Sequence, residues 1–244
     1  MIYFLIPSYE DAPNIKNLAI NISKSVKPNK YKIVIIDDGS TDETIKVIDK
    51  LSKKFPINRI GYYQNKGPGY AFNIGFRSVI PRLKEEDIVV TMEADSSSDF
   101  KKLPSMISKS ELFDIVLASP FAKGGRFIGL DINRKILTYT ANYLDTLIFR
   151  IPNVKTYSSF YRVYSSKILK KALKAYNKNL ISDPGFSGVV EFLIKLDKLG
   201  AKVCEVPTVL DWRKRIGKSK MKVTKTIINH LTMYQRYFIG RYNI

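Results

Sequence analysis

Two carboxylates one residue apart, Glu93 and Asp95, follow directly on the apolar run Ile88-Val89-Val90-Thr91-Met92. Such a run reads as a buried strand of a parallel sheet. Side chains at i and i+2 of an extended segment point to the same side, so the two carboxylates converge just past the strand. In open α/β sheets, ligands sit beyond the carboxyl ends of the strands. Two hard oxygen ligands there suit Mg²⁺ or Mn²⁺, with phosphate oxygens filling the remaining positions. The same spacing also suits an acidic turn that caps a helix starting at Ser98 or Asp99.

Two further stretches have chemistry at a strand end. Asp37-Asp38-Gly39-Ser40 closes the apolar run 31–36. A carboxylate in that place can accept hydrogen bonds from a base or a ribose, and Gly39 permits a tight bend. The alternative is again a helix cap. Gln64-Asn65-Lys66-Gly67-Pro68-Gly69-Tyr70-Ala71 puts two glycines ahead of a helix. They would allow the backbone to approach an anion at the helix N-terminus. The spacing of a P-loop is absent, and no GxGxxG follows the first strand, which counts against an ordinary Rossmann dehydrogenase.

The elements that must position these residues alternate along the chain. Strands are expected at 3–6, stopped by Pro7, and at 31–36, 59–63 and 88–92. Helices are expected at 14–26, after Thr41 or Asp42, and at 70–80. The second half adds strands at 114–119, 158–164 and 202–207, and helices at 133–149, 168–176 and 186–199. Lys123-Gly124-Gly125-Arg126 is expected in a loop. Repeated β-α units of this length predict an α/β fold with a mostly parallel sheet covered by helices.

Composition narrows the class. With 45% hydrophobic residues in 244, the chain has ample material for a core. The single cysteine, Cys204, excludes an internal disulfide framework. No run reaches the roughly 18 apolar residues of a membrane span, and the apolar start at 1–7 lacks a basic leader, so it is taken as the first strand. Forty-one Lys and Arg against 22 Asp and Glu leave a net charge of +19, which favours phosphorylated substrates, anionic lipid or nucleic acid. The basic residues are dispersed and fit no RRM, KH or helix-turn-helix pattern, so no nucleic-acid partner is expected.

Taken together, Pro7-Ser8-Tyr9-Glu10, Asp37-Asp38-Gly39-Ser40-Thr41-Asp42, Asn65-Lys66-Gly67-Pro68-Gly69-Tyr70-Ala71 and Glu93-Ala94-Asp95 resemble, in order and spacing, a family 2 glycosyltransferase. The resemblance implies a GT-A fold, a Rossmann-like sheet flanked by helices. It implies that Pro7, Tyr9, Glu10, Asp37 and Asp38, with Lys66 and Gly69, hold a nucleotide-sugar donor, and that Glu93 and Asp95 bind Mg²⁺ or Mn²⁺. The first carboxylate of that pair is Glu, where the family motif commonly has Asp.

Residues 200–221 are similar to the polyprenyl-phosphate sugar synthases, in which a Glu-Val-Pro strand precedes a basic Arg-x-x-Gly-x-Ser-Lys loop over the phosphates. Here these are Glu205-Val206-Pro207 and Arg213-Lys214-Arg215-Ile216-Gly217-Lys218-Ser219-Lys220. Arg215, Ser219 and Lys220 are thereby expected at phosphate groups. The chain departs from those enzymes in three places. Ala118-Ser119-Pro120-Phe121 stands where Gly-Ser-Arg-Tyr is common, Thr156 stands where Asp is common, and Lys214 holds the usual arginine position. The acceptor anion is then left to Lys123, Arg126 and Arg134.

The resemblance implies an inverting transfer of a hexose, mannose or glucose, to a polyprenyl (dolichyl-type) phosphate, with Asp95 nearest the chemistry. A soluble glycan or protein acceptor is the rival. Glu191 is expected either to face the acceptor or to stand exposed on its helix, and His230 to be structural. The chain divides into a catalytic domain, 1–222, and a C-terminal basic helix, 223–244. That helix suits an anionic membrane surface; it also suits packing on the core, chiefly through its first half. The expected location is peripheral, on the cytoplasmic face of a membrane, with lipid reached directly or through a partner protein.

Overall fold

The computed structural model describes residues 1–217 and 223–243. A seven-stranded sheet runs β3-β2-β1-β4-β7-β5-β8. Its members are β1 (Ile2–Ser8), β2 (Tyr31–Asp37), β3 (Ile57–Gly61), β4 (Ile88–Thr91), β5 (Ile115–Ser119), β7 (Arg162–Ser165) and β8 (Val203–Pro207). All neighbours are parallel except β7, which is antiparallel to both β4 and β5. A second sheet pairs β6 (Arg126–Ile128) with β9 (Val209–Asp211). This is a mixed α/β GT-A fold.

Alternation along the central strands divides the core in two. Phe4, Ile6, Ile33, Ile35 and Val90 face α1 (Ala12–Ser25), α2 (Thr44–Ser52) and α4 (Leu103–Lys109). Leu5, Val34, Ile36 and Val89 face the opposite cluster, built on α3 (Pro68–Val79), α6 (Ser166–Tyr176) and α7 (Ser187–Lys198). With both faces covered, the strands read as continuous apolar runs.

Pro7 does not stop β1. The Ser8 carbonyl accepts from the Asp38 backbone N–H, so even-numbered residues bond toward β2 and Pro7 faces β4. Pairing with β4 ends at Leu5, where no N–H is needed from position 7. β3 lies two residues earlier than the pattern predicts. Most of the expected strand at 158–164 is loop.

The last two long helices, α5 (Ile132–Phe149) and α8 (Val223–Phe238), pack through Phe149 against Tyr234 and Tyr237. Met233 and Tyr242 are buried in the same core. The second half of α8 therefore carries the packing, and its first half, where packing was expected, exposes Val223, Ile227 and Ile228. Tyr234 donates its hydroxyl to Asp145 Oδ1 at 2.9 Å, beside His230.

Burial pushes the Asp145 carboxyl up from 3.8 to about 6, against the opposing charge of His230. A raised folded-state value means that its stabilising contribution is complete below the unfolded value and is lost as pH rises through 6. Asp145→Asn should therefore flatten the fall in melting temperature between pH 4 and pH 8. An unchanged pH profile in that variant would place the titration elsewhere.

Candidate active site

Thr91 ends β4 with its hydroxyl on the Phe160 carbonyl, and the chain then releases Glu93 and Asp95 at the strand's carboxyl end. Each is held by a serine of the run that follows. Ser98 donates to Glu93 Oε2 at 3.0 Å, and Ser97 donates to Asp95 Oδ1 from its backbone N–H (3.1 Å) and its hydroxyl (2.5 Å). The Phe160 N–H lies 3.4 Å from Glu93 Oε1. Burial, and then the charge of Asp95, push the Glu93 carboxyl up to about 7. Helix capping falls instead to Asp99, which accepts from the Lys101 N–H.

Among the described residues, the cation paired with the two carboxylates is Arg215, whose Nε lies 3.5 Å from Asp95 Oδ2. Its guanidinium also lies 5.4 Å from the Trp212 ring centre, and that of Arg134 lies 4.3 Å from the same ring. Burial and the neighbouring Arg215 lower the proton affinity of Arg134. Two like charges are thus drawn to one ring beside a carboxylate pair. Asn14 donates to the Ile216 carbonyl at 3.1 Å, which docks the segment on α1.

The remaining basic residues of the 213–220 loop divide. Arg213 forms a two-point pair with Asp211, Nε to Oδ1 at 2.9 Å and Nη2 to Oδ2 at 2.8 Å, and so serves the loop's own anchorage. Lys214 is exposed. Ser219 and Lys220, expected at phosphate, lie outside the described residues, as does Lys218. Lys123 and Arg126 are exposed on the β6 side.

The expected nucleotide residues are brought to one edge, but several are engaged with protein. Asp38 Oδ1 accepts from the Lys66 N–H at 2.7 Å, and Oδ2 accepts from the Gly67 N–H at 2.8 Å and the Asn65 side chain at 3.0 Å. Its carboxylate, expected on the nucleoside, holds the 65–67 loop. Asp37 is buried and accepts from the Ser40 N–H; desolvation raises its pKa. Glu10, at φ 54°, accepts from Thr41 through the backbone N–H (2.9 Å) and the hydroxyl (2.8 Å). This ties Tyr9 and Glu10 after β1 to the turn after β2. Pro7 lies in the same strand, one residue before its last, Ser8. The Lys66 ammonium lies over the Tyr70 ring at 4.6 Å.

Gly69 requires a correction. Its N–H, expected at an anion, donates to the Pro184 carbonyl at 2.9 Å, and the Tyr70 N–H does the same at 3.2 Å. A Cβ at Gly69 would run into the Asp183 and Gly185 carbonyls. The glycine serves the approach of a second backbone segment, and the first turn of α3 is occupied by protein.

Glu191 is neither exposed nor turned to the site. It is fully buried, accepts from the Ser182 and Asp183 N–H groups at 2.9 and 2.7 Å, and pairs with Lys195. Thr156, at the usual Asp position, shares a 2.6 Å hydrogen bond with Ser119, and Glu205 accepts from the Lys155 and Thr156 N–H groups. Sequence reasoning missed Ser97, Ser98 and Trp212. The serine run directly after Asp95 was the available signal for the first two.

The glycosyl transferase family 2 model matches residues 3–173, more than two thirds of the chain. The chain belongs to glycosyltransferase family 2. Within that family it is 30% identical over 230 residues to the dolichol-phosphate mannosyltransferase of Pyrococcus furiosus, covering 93% of this chain and 60% of that protein. It is 24% identical to the undecaprenyl-phosphate mannosyltransferase of Micrococcus luteus, covering 92% and 90%. Glucosyl-3-phosphoglycerate synthase of Mycobacterium tuberculosis, solved with Mn²⁺, UDP and glucosyl-3-phosphoglycerate, superposes with a TM-score of 0.65 at 16% identity, over 96% of this chain and 79% of that one. In this family 2 glycosyltransferase the two carboxylates lie past the carboxyl end of the central strand β4, where open α/β sheets place ligands.

The role of Asp38 in this glycosyltransferase can be tested directly. Asp38→Ala removes the acceptor for two backbone N–H groups and the Asn65 amide. It should cost roughly 2–4 kcal/mol of stability as well as donor affinity. A denaturation midpoint equal to the parent's, with donor binding alone lost, would return the carboxylate to the nucleotide.

Proposed function

We propose that this glycosyltransferase moves a hexose, mannose or glucose, from a nucleotide-sugar to a polyprenyl phosphate of the dolichyl type. The observation that carries the reading is the pairing of Asp95, two residues from Glu93, with Arg215, which shares the Trp212 ring with Arg134. One side of that arrangement suits a cation and the other an anion. The relatives named above as acting on dolichol phosphate and undecaprenyl phosphate support a lipid-phosphate acceptor.

The donor set fits a divalent cation. Glu93 and Asp95 offer hard oxygen ligands just past the end of β4, where burial and then the charge of Asp95 raise the proton affinity of Glu93. Among the described residues no third Asp, Glu, His or Cys joins them, so donor oxygens and water would complete the shell. Mg²⁺ or Mn²⁺ held there would stabilise the negative charge that grows on the nucleoside diphosphate.

In the transfer, an oxygen of the acceptor phosphate attacks the sugar C1 from the face opposite the leaving group. The C1–O bond to the diphosphate breaks, the new C1–O–P bond forms, and the configuration inverts. A lipid phosphate, with a second pKa of about 6, is already largely ionised near neutral pH, so no side chain need remove a proton. Arg215 is placed to leave Asp95 for phosphate oxygen as the donor enters, and Arg134 to steady the acceptor. Tyr9, Glu10 and the turn at Asp37–Asp38 shape the nucleoside end. No described helix is long and apolar enough to cross a membrane; we place the protein peripherally on the cytoplasmic face.

GDP-mannose and UDP-glucose, each offered with polyprenyl phosphate and Mg²⁺ or Mn²⁺, test the reading. Dolichyl or undecaprenyl phosphate should accept the sugar and the corresponding free alcohol should not. Arg215→Ala should lower kcat by about 10²-fold. Equal transfer to the alcohol, or transfer to a soluble glycan alone, would overturn the lipid-phosphate reading.

A further inference from the structure

Trp212 is the only tryptophan of the chain, and two arginines far apart in sequence meet on it. The second sheet brings them together. β6 and β9 pair in parallel, with Ile128 beside Asp211, so the chain leaves both strands in the same direction. After β6 it enters α5, whose first turn carries Arg134. After β9 it enters the 3₁₀ turn Trp212–Lys214, which Asp211 caps by accepting from the Arg213 N–H at 3.1 Å. The two arms run close together: a Cβ at Gly129 would strike the Arg213 side chain. Side chains three residues apart on such a turn eclipse, and the Arg215 N–H donates back to the Trp212 carbonyl at 3.3 Å. Arg215 thus returns to the ring from its own segment, and Arg134 reaches it from the neighbouring one. Lys214, at the position where the polyprenyl-phosphate sugar synthases commonly have arginine, is exposed. The arginine paired with Asp95 is the next residue, set there by the turn that starts at Trp212.

Two guanidiniums repel each other unless something offsets their charge. The face of an indole does so in part, because its quadrupole is negative there, and tryptophan is the strongest aromatic residue in this respect. The guanidinium carbons lie 4.3 Å (Arg134) and 5.4 Å (Arg215) from the ring centre, within reach of that attraction. A guanidinium held by a ring keeps N–H donors for an oxyanion. The indole Nε1–H is buried with no hydrogen-bond partner among the described residues. The ring is therefore placed for its face and not for its hydrogen bond.

We propose that Trp212 is a positioning residue of the transfer: its ring fixes the spacing between Arg215, at the donor diphosphate, and Arg134, at the acceptor phosphate. The two phosphate groups are thereby held in register for attack. Trp212 touches neither of them and acts through the two arginines. The proposal rests on the roles given to Arg134 and Arg215 above.

The test combines kinetics with the emission of the single tryptophan. Trp212→Leu should lower kcat by about tenfold and change KM for the nucleotide-sugar by less than about threefold, because the ring orients the phosphates rather than binding them. Trp212→Phe keeps a ring face and loses the N–H, and it should recover most of kcat. Arg134→Ala removes one of the two cations that the ring spaces. Adding Trp212→Leu to it should therefore cost about twofold or less. In the parent, GDP or UDP with Mg²⁺ should turn Arg215 from Asp95 toward phosphate and shift the emission saturably. Arg215→Ala should lose that shift. Equal losses of kcat in the Leu and Phe variants would overturn the proposal. So would a Trp212→Leu effect as large in the Arg134→Ala background as in the parent, or parent emission that neither nucleotide changes. The emission measurement on the parent needs neither acceptor nor substitution, so it decides the matter even where Trp212→Leu does not fold. Transfer by the parent to a soluble acceptor alone would end the lipid-phosphate reading, and the same kinetic comparisons on that acceptor would still decide the role of Trp212.

Discussion

Asp95→Ala is expected to abolish sugar transfer while leaving the protein folded. Asp95 lies in a loop past β4, partly exposed, and its contacts are Ser97 and Arg215. Removing it leaves the N–H and hydroxyl of the buried Ser97 without their acceptor, a cost of about 1–3 kcal/mol that a folded domain withstands. The chemistry loses more. One of the two carboxylates of the proposed cation site disappears, and Arg215 loses its carboxylate partner. Charge stabilisation of a departing diphosphate accounts for most of such a barrier, so a loss of roughly 10²–10³-fold or more is expected. Excess EDTA on the parent should have the same effect and added Mg²⁺ or Mn²⁺ should reverse it. Retained turnover in the variant with a normal melting curve, or full parent activity in EDTA, would sink the metal assignment.

The carboxylate pair was legible in the sequence because three signals coincide at 88–95: a doubly buried strand, an abrupt polar end and an i, i+2 spacing. The same logic located β1, β2, β5 and β8 to within a residue or two. It failed where burial is partial. β3 has only Ile57 fully buried, so its pattern gave a register two residues late. β6 and β9 are three residues each, too short to carry a period. The expected strand at 158–164 is apolar for another reason: Phe160 packs against Phe72 and Phe186 as loop while its backbone N–H serves Glu93.

Periodicity also leaves open which side of a helix meets the protein. Ile136, Tyr143 and Leu147 identified α5 as a helix, yet they face outward, and the polar Asn142 and Asp145 face inward. The glycines at 67 and 69 raised a related ambiguity. A sequence that permits close approach does not say to what, and here the approaching group is the 183–185 backbone rather than an anion.

That backbone leads to the second large effect. Glu191→Ala is expected to destabilise the fold by about 3–5 kcal/mol, although residue 191 touches no part of the active site. Glu191 and Lys195, one turn apart on α7, are 0% and 2% exposed. As a sequence feature the pair looks like an ordinary surface i, i+4 contact, worth a few tenths of a kcal/mol. Buried, it is different. Lys195 also donates to the Asn179 and Leu180 carbonyls and lies between the Tyr176 and Tyr242 rings. Glu191 satisfies the Ser182 and Asp183 N–H groups, and Asp183 in turn holds the Gly185 N–H and the Ser187 hydroxyl. Deleting the carboxylate leaves a buried ammonium and two N–H groups without their anion. Because the Pro184 carbonyl receives the first N–H groups of α3, the disturbance passes to the 65–67 loop that Asp38 brackets. Donor affinity should therefore fall together with stability. Replacing both members, Glu191→Leu with Lys195→Met, should restore part of the stability by removing the unpaired charge, though the two N–H groups stay unpaired. A chemical-denaturation midpoint equal to the parent's in Glu191→Ala, or a double variant less stable than the single, would contradict the buried-pair account.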